Sequence, residues 1–407
     1  MEHVKSVISS LVKNGMFGKF DFVDVQPDET VIGAQFGSSL VFVTLTLTGP
    51  EAMSKLPLLI KLPFTDEIER EARNGNAMFY NEVTMYKEIL PDLGVGNDFY
   101  PQVFNGLATC GAKPDNDLLV LENLKYKNYK LSKTKVFLDF EHISVAIKKI
   151  AQFHSFSFIY KHKNMKRFQD IAKKLIEVKL PPASENEFRA FDAAAFERGI
   201  RPLIKKNIST NLLETCLSLL KYPSIIQKLS MPEEPFAVIC HGDFCNNNVL
   251  YKFGENDKPE DCIFLDFQLS QYGSPAMDLF FFLYMHTTSE LREKYWDEFL
   301  KLYWYNLREY VPNNINIPSF EEFLKHFHKR AIYGYTICAL FLPAMITDKP
   351  ATFEDITTLS LEEKVSCFVS QGGEEGERLI SEIVLHLLNR GYIKSFIEFC
   401  KENNIES

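Results

Sequence analysis

The first apolar pattern in the chain is helical. Val4, Val7, Ile8, Leu11 and Val12 recur at three- and four-residue spacing in MEHVKSVISSLVKNGMFG, which contains no continuous apolar run. An amphipathic helix is expected there, and not a signal segment. From Gly18 to about Pro63 the pattern changes to Val, Thr, Phe and Leu punctuated by Gly and Pro, as in VIGAQFGSSLVFVTLTLTGPEAMSKLPLLIKLPF. Three or more antiparallel strands are expected. A charged helical stretch follows from Asp66 to Leu90, and Leu118 to Leu124 (LLVLENL) reads as one more buried strand. Beyond Lys125 a lysine-dense loop (Lys125, Lys127, Lys130, Lys133, Lys135) leads into helical patterns that dominate to the C-terminus, broken only near residues 236 to 267. Tyr and Asn interspersed among these lysines make the loop a solvated one and not an anion site. The longest apolar stretch, Ala331 to Thr347, is interrupted by tyrosines and falls short of the roughly 20 residues of a membrane-spanning helix, so a buried helix is expected. The pattern therefore reads as an α+β chain in two lobes. Residues 1–124 form a small antiparallel sheet with one long helix, and residues 125–407 a larger, mainly helical lobe.

Composition agrees with two lobes, because 407 residues exceed the size at which one core stops growing. A hydrophobic fraction of 46% with 24% charged residues is that of a globular protein. The 45 basic and 54 acidic residues leave a net charge of -9, which disfavours nucleic acid and anionic membrane surfaces as partners. The eight cysteines show no CxxC pair and lie in apolar segments, so they read as reduced, buried thiols of a cytoplasmic protein. No protein partner is indicated.

Two charged residues are oddly placed. Met78, Glu82, Met85 and Ile89 share one helical face, so Glu82 sits inside an apolar stripe. A carboxylate there is costly unless paired. Lys61, within the strand-like run LLIKLP, is the matching cation. A strand lysine followed at such a distance by an inward helix glutamate is the pair that grips ATP phosphates in kinases. Gly33, Gly37, Ser38 and Ser39 in GAQFGSS do not form GxGxxG, yet backbone amides and hydroxyls of such a turn can contact phosphate.

The densest chemistry lies in PFAVICHGDFCNNNVLYKFGENDKPEDCIFLDFQLS, residues 235 to 270, which parses as strand, loop, strand, polar turn, strand. If Phe253 pairs with Cys262, Asn248 falls opposite Phe267 and beside Asp266. An amide oxygen and a carboxylate then converge as hard ligands suited to magnesium. Asp243, in the loop before Asn248, is placed to orient a substrate hydroxyl and receive its proton. A loose phosphoryl-transfer transition state lets that proton leave late, so a weak base suffices. His241 reads as a residue fixing the loop, Asp278 in MDLFFFLYM as one holding the loop backbone, and His154 as a core position.

At these motifs the sequence resembles the choline kinase and aminoglycoside phosphotransferase group, and more closely its ecdysteroid-kinase-like branch. The carriers are HGD with Asn248, DFQ at Asp266 to Gln268, DLFFFL from Asp278, IKLP around Lys61, FYNEVTMY around Glu82, LVLENL and AQFHSFS. The resemblance implies a bilobal protein-kinase-like fold that uses ATP and magnesium. Asp243 would be the catalytic aspartate and Asn248 with Asp266 the metal ligands. Lys61 would contact the phosphates, Glu82 would orient it, and backbone groups of Glu122 and Leu124 would meet adenine. The sequence departs from the branch at Cys245 and Asn246, where a Trp and an aliphatic residue are usual, and at LENL, where LEDL is commoner. Only twelve residues separate Asp266 from Asp278, too few for the peptide-docking segment of a protein kinase. The acceptor is therefore expected to be a small-molecule hydroxyl, of an ecdysteroid or another lipophilic alcohol. Choline or ethanolamine is the alternative acceptor, and a non-catalytic nucleotide- or steroid-binding pseudokinase the alternative class.

Overall fold

The computed structural model describes residues 2–34, 38–49, 52–178, 185–222, 224–348 and 359–405. The Val/Thr/Leu alternation near the N-terminus folds into β1 (Asp21–Ala34), β2 (Ser38–Thr48) and β3 (Met53–Pro63). With β4 (Val103–Leu107) and β5 (Leu118–Glu122) they make a five-stranded antiparallel sheet in the order β1-β2-β3-β5-β4. Helix α1 (Glu2–Lys13) buries Val4, Ile8 and Val12 in one core with Val25, Val43, Leu45, Leu58, Ile60 and Val120 of the sheet. Each such aliphatic side chain contributes about 2 kcal/mol by leaving water.

The long helix expected after β3 is broken. Helix α2 (Glu67–Ala72), capped by the Asp66 side chain on the Glu69 amide, stops at Arg73. Asn74 then turns left-handed at φ 53° before α3 (Gly75–Thr84) begins, a conformation an Asn side chain tolerates. The path continues through one π turn, Met85–Ile89, into α4 (Leu90–Leu93).

Further along, β6 (Tyr129–Lys130), β8 (Val249–Phe253) and β9 (Pro259–Phe264) form a second, three-stranded sheet. The β8–β9 turn is tighter than the sequence suggests: Gly254 N–H donates to the Lys258 carbonyl at 2.9 Å, and β9 begins at Pro259 instead of Cys262. The short 3-10 turn Glu255–Asp257, with Asn256 and Asp257 both at positive φ, forms the middle of this five-residue connection.

The chain forms two compact units that are not consecutive stretches. The first comprises Met1–Lys130, Lys166–Pro182 and Leu250–Gln271, and the second Leu131–Met165, Ala183–Val249 and Tyr272–Ser407. The second is mainly helical: α5 (Phe140–Ala172) as far as Met165, broken at Asn164; α6 (Glu185–Lys205); α7 (Thr210–Leu220); α8 (Ile225–Ser230); α9 (Ala276–His286); α10 (Ser289–Tyr310); α11 (Phe320–Arg330); and α12 (Ile332–Met345). Helices Leu361–Ser370, Gly373–Asn389 and Tyr392–Glu402 follow. A two-stranded sheet of β7 (Val238–Cys240) and β10 (Gln271–Gly273) precedes α9.

Every residue of α9 is buried, and α12 packs closely on it: a Cβ at Gly334 would lie 2.4 Å from the Phe280 carbonyl oxygen. Among the described residues no helix is long and apolar enough to cross a membrane. The cysteines are all free thiols, but Cys110 is exposed and Cys367 half-buried, contrary to the uniform burial expected from their apolar surroundings.

Candidate active site

In the first unit, β3 is the central strand of the larger sheet and carries Lys61 inward, 3% exposed. Its Nζ donates to Glu82 Oε2 at 2.6 Å, from α3, and to Asp266 Oδ1 at 2.9 Å, from the turn after β9. Burial alone would lower the lysine pKa, but the charges of Asp266 and Glu82 outweigh it and hold the ammonium protonated. Glu82 moves the opposite way to a simple ion-pair partner: burial pushes its carboxyl up to about 7, Lys61 pulls it down and Asp266 pushes it up again. One cation shared between two carboxylates reconciles these directions. The cluster has an excess of negative charge that a bound divalent cation would offset. Asp266 itself has φ 62° and ψ 64°, a left-handed conformation uncommon outside glycine.

Ser38 lies on the same sheet face as Lys61, because Leu40 is the partner of Lys61 and Ser38 the partner of Pro63. Its hydroxyl is buried and has no hydrogen-bond partner among the described residues, as a group awaiting an acceptor would be. Ser39 pairs with Leu62 and is directed to the other face. Gly33, the penultimate residue of β1, pairs with Leu40, whereas Gly37 lies outside the described residues. At the end of β5 the Glu122 amide donates to the Gln102 carbonyl and its carboxylate meets Lys127 at 2.7 Å. Leu124 is buried at the start of a short 3-10 turn, where Asn123 caps the Lys125 amide. Asp in LEDL would cap the same amide, so the LENL departure leaves the turn intact.

In the second unit, the loop after β7 carries His241, Gly242, Asp243 and Asn248. Asp278, fully buried in the first turn of α9, accepts from the His241 amide at 2.7 Å and the Gly242 amide at 2.9 Å. Gly242 has φ 86°, a turn that a Cβ would strain. Asp243 is partly exposed, with His241 Nδ1 accepting from its amide at 3.3 Å. Asn248 Nδ2 donates to the Asp243 carbonyl and to Asp243 Oδ2, both at 2.9 Å. The nitrogen of that amide is committed to Asp243, which orients its Oδ1 elsewhere.

His154 is in the core, as its apolar flanks suggest, but it is also wired to the loop. Its Nε2 meets Asp278 Oδ2 at 3.0 Å and its Nδ1 meets the Tyr303 hydroxyl at 2.8 Å. A carboxylate only accepts, so Nε2 carries the proton and Nδ1 accepts from Tyr303. Cys240 completes a His-Cys-Asp cluster with ligand atoms within 4.8 Å of one another. Both Asp278 oxygens are already occupied by three N–H donors, which makes the cluster a hydrogen-bonded joint.

Three residues near Asp243 escape the sequence pattern. Burial on α12 pushes the Tyr333 hydroxyl pKa up, with the charges of Asp278 and Asp243 adding in the same direction. Asn246 and His286 form contacts that only the folded loop reveals: the Asn246 amide donates to His286 Nε2 at 2.8 Å. Asn246 already stood out as a departure, and that was the available signal.

A strand lysine locked to a helix glutamate, and a loop aspartate on a backbone anchored by a buried carboxylate, are each parts that kinase-type phosphotransferases use. The model of the ecdysteroid kinase-like family matches residues 32–313, well over half of the chain, and the chain belongs to that family. None of the curated proteins compared matches it. Among solved structures, amicoumacin kinase hAmiN in complex with AMP-PNP, Ca2+ and Ami aligns over 91% of this chain and 92% of its own, at 13% identity and a TM-score of 0.46.

Proposed function

We propose that the protein is an ATP- and magnesium-dependent kinase that transfers the γ-phosphoryl group to a hydroxyl of a small molecule, an ecdysteroid or another lipophilic alcohol. The observation that carries this reading is the buried Lys61 shared between Glu82 and Asp266, with the orphaned Ser38 hydroxyl on the same sheet face. Nothing in a purely structural core calls for three such ionised groups, since apolar residues of similar size serve stability as well or better.

The residues fit the cofactors. Asp266 and Asn248 are the hard oxygen ligands that would hold magnesium, whose charge when bound neutralises the phosphate oxygens. Lys61 supplies positive charge to the phosphates, and Glu82 fixes where that charge sits. Ser38 offers its hydroxyl to a phosphate oxygen, and backbone groups of Glu122 and Leu124 meet the adenine edge. Asp243 orients the acceptor hydroxyl and takes its proton, while Asn248 holds the Asp243 carboxylate in position. Family membership favours the ecdysteroid acceptor over choline.

The test is product mass after incubating the purified protein with magnesium ATP and, separately, ecdysteroids, choline and plant glycosides. A phosphorylated ecdysteroid is expected. Phosphocholine as the sole product would replace the acceptor assignment, and ATP binding without any product would favour a pseudokinase.

A further inference from the structure

Helix α9 meets the Asp243 loop at three points, not one. Asp278 takes the His241 and Gly242 amides. One turn on, Phe282 stacks on Phe244 with centroids 4.4 Å apart. One turn further, His286 Nε2 accepts from the Asn246 amide at 2.8 Å. The helix residues advance by four, about one turn per contact, and the loop residues by two, so residues 242, 244 and 246 engage α9 in turn.

His286 is the joint at the far end. An amide N–H only donates, so Nε2 accepts; the Val136 carbonyl at 2.6 Å only accepts, so Nδ1 carries the proton. The ring is fully buried, and burial lowers its pKa to about 4, which keeps it neutral. Its own carbonyl takes the Leu138 amide at 2.9 Å. Asn246 Nδ2 reaches the Thr134 and Lys135 carbonyls at 3.0 and 3.2 Å. Its Oδ1 is buried without a partner among the described residues, so the site is built for the two bonds that Nδ2 donates.

We infer that His286, as a neutral Nδ1-protonated imidazole joining Asn246 to the 134–138 segment, is a positioning residue that sets the direction of Asp243. The inference rests on the reading of Asp243 as the catalytic carboxylate. Removing the joint leaves the ligands of ATP untouched but lets the loop shift, and a displacement near 1 Å costs on the order of 100-fold in rate.

The experiment compares His286→Leu and His286→Gln with wild type, using magnesium ATP and ecdysone as the probe acceptor, with ADP release to water as the fallback readout. His286→Leu is expected to lower kcat at least about tenfold with KM for ATP within about twofold. His286→Gln keeps one acceptor and one donor and is expected to recover most of the rate. An unimpaired Leu variant, or a Gln variant as slow as Leu, overturns the proposal. Ring nitrogen NMR of the wild-type protein supplies a test that needs no variant to fold and no turnover. A neutral ring protonated at Nδ1 is expected at pH 7, and protonation at Nε2 or at both nitrogens overturns the proposal. A wild-type enzyme that phosphorylates nothing would count against the function, not against this tautomer.

Discussion

Lys61 is the residue on which the first unit turns, because its ammonium bridges the buried carboxylates of Glu82 and Asp266. Lys61→Met leaves two buried carboxylates facing each other, a loss of about 3–5 kcal/mol if neither takes up a proton. Activity with magnesium ATP should fall about 100-fold or more, since a preorganised charge aimed at the phosphates is gone. Adding Glu82→Gln to that variant should restore part of the urea midpoint and none of the rate. Recovery of both would mean that Lys61 serves the fold alone. The pairing of Lys61 with Glu82 was legible in the sequence because charge inside an apolar pattern must have a partner or a task. The contacts of Asn246 and His286 were not legible, because a buried amide and a buried imidazole look ordinary until the loop is folded against its helix.

Among the elements, α9 carries the most consequence. Its apolar run and early Asp278 announced a buried helix holding the loop, and the amides of His241 and Gly242 are where that carboxylate goes. Strands β1, β2, β3 and β5 were equally legible, but β4, only five residues long and interrupted by Asn105 and Gly106, was not read as a strand. Turn chemistry was harder. The break at Asn74 and the tight Gly254–Lys258 turn each rest on left-handed residues, which have no hydrophobic signature. Gly334 shows how closely α9 is held. Gly334→Ala drives a methyl group against the Phe280 backbone of α9 and should cost about 1–3 kcal/mol by overpacking, read as a lower urea midpoint. An unchanged midpoint would show that α12 can slide away from α9 at no cost.

Across the molecule, three buried histidines make stability depend on pH. Burial lowers His286 to about 4; burial, against the pull of Glu233, lowers His326 to about 4; burial, helped by Arg292 and Arg390, lowers His386 to about 3. Between the ordinary value near 6.5 and these folded values, the unfolded chain binds protons that the folded chain refuses. The histidine contribution is therefore complete above about pH 6.5 and falls as pH drops toward 4, by up to about 1.4 kcal/mol per pH unit for each histidine, while Glu82 and Asp192, both raised by burial to about 7, act in the opposite direction as pH falls through 7. The urea midpoint of His386→Gln, compared with wild type at pH 7.5 and 5, should lose less or gain more on acidification, because one refused proton is removed; an identical pH response of the two proteins would contradict the burial assigned to that ring. The reading of the whole chain as a phosphotransferase rests on Asp243. The decisive measurement is ATP binding and phosphorylated product, side by side, for wild type and Asp243→Asn with magnesium ATP and an ecdysteroid. Unchanged ATP affinity with product formation abolished is the expected result. Normal product formation by Asp243→Asn would contradict it.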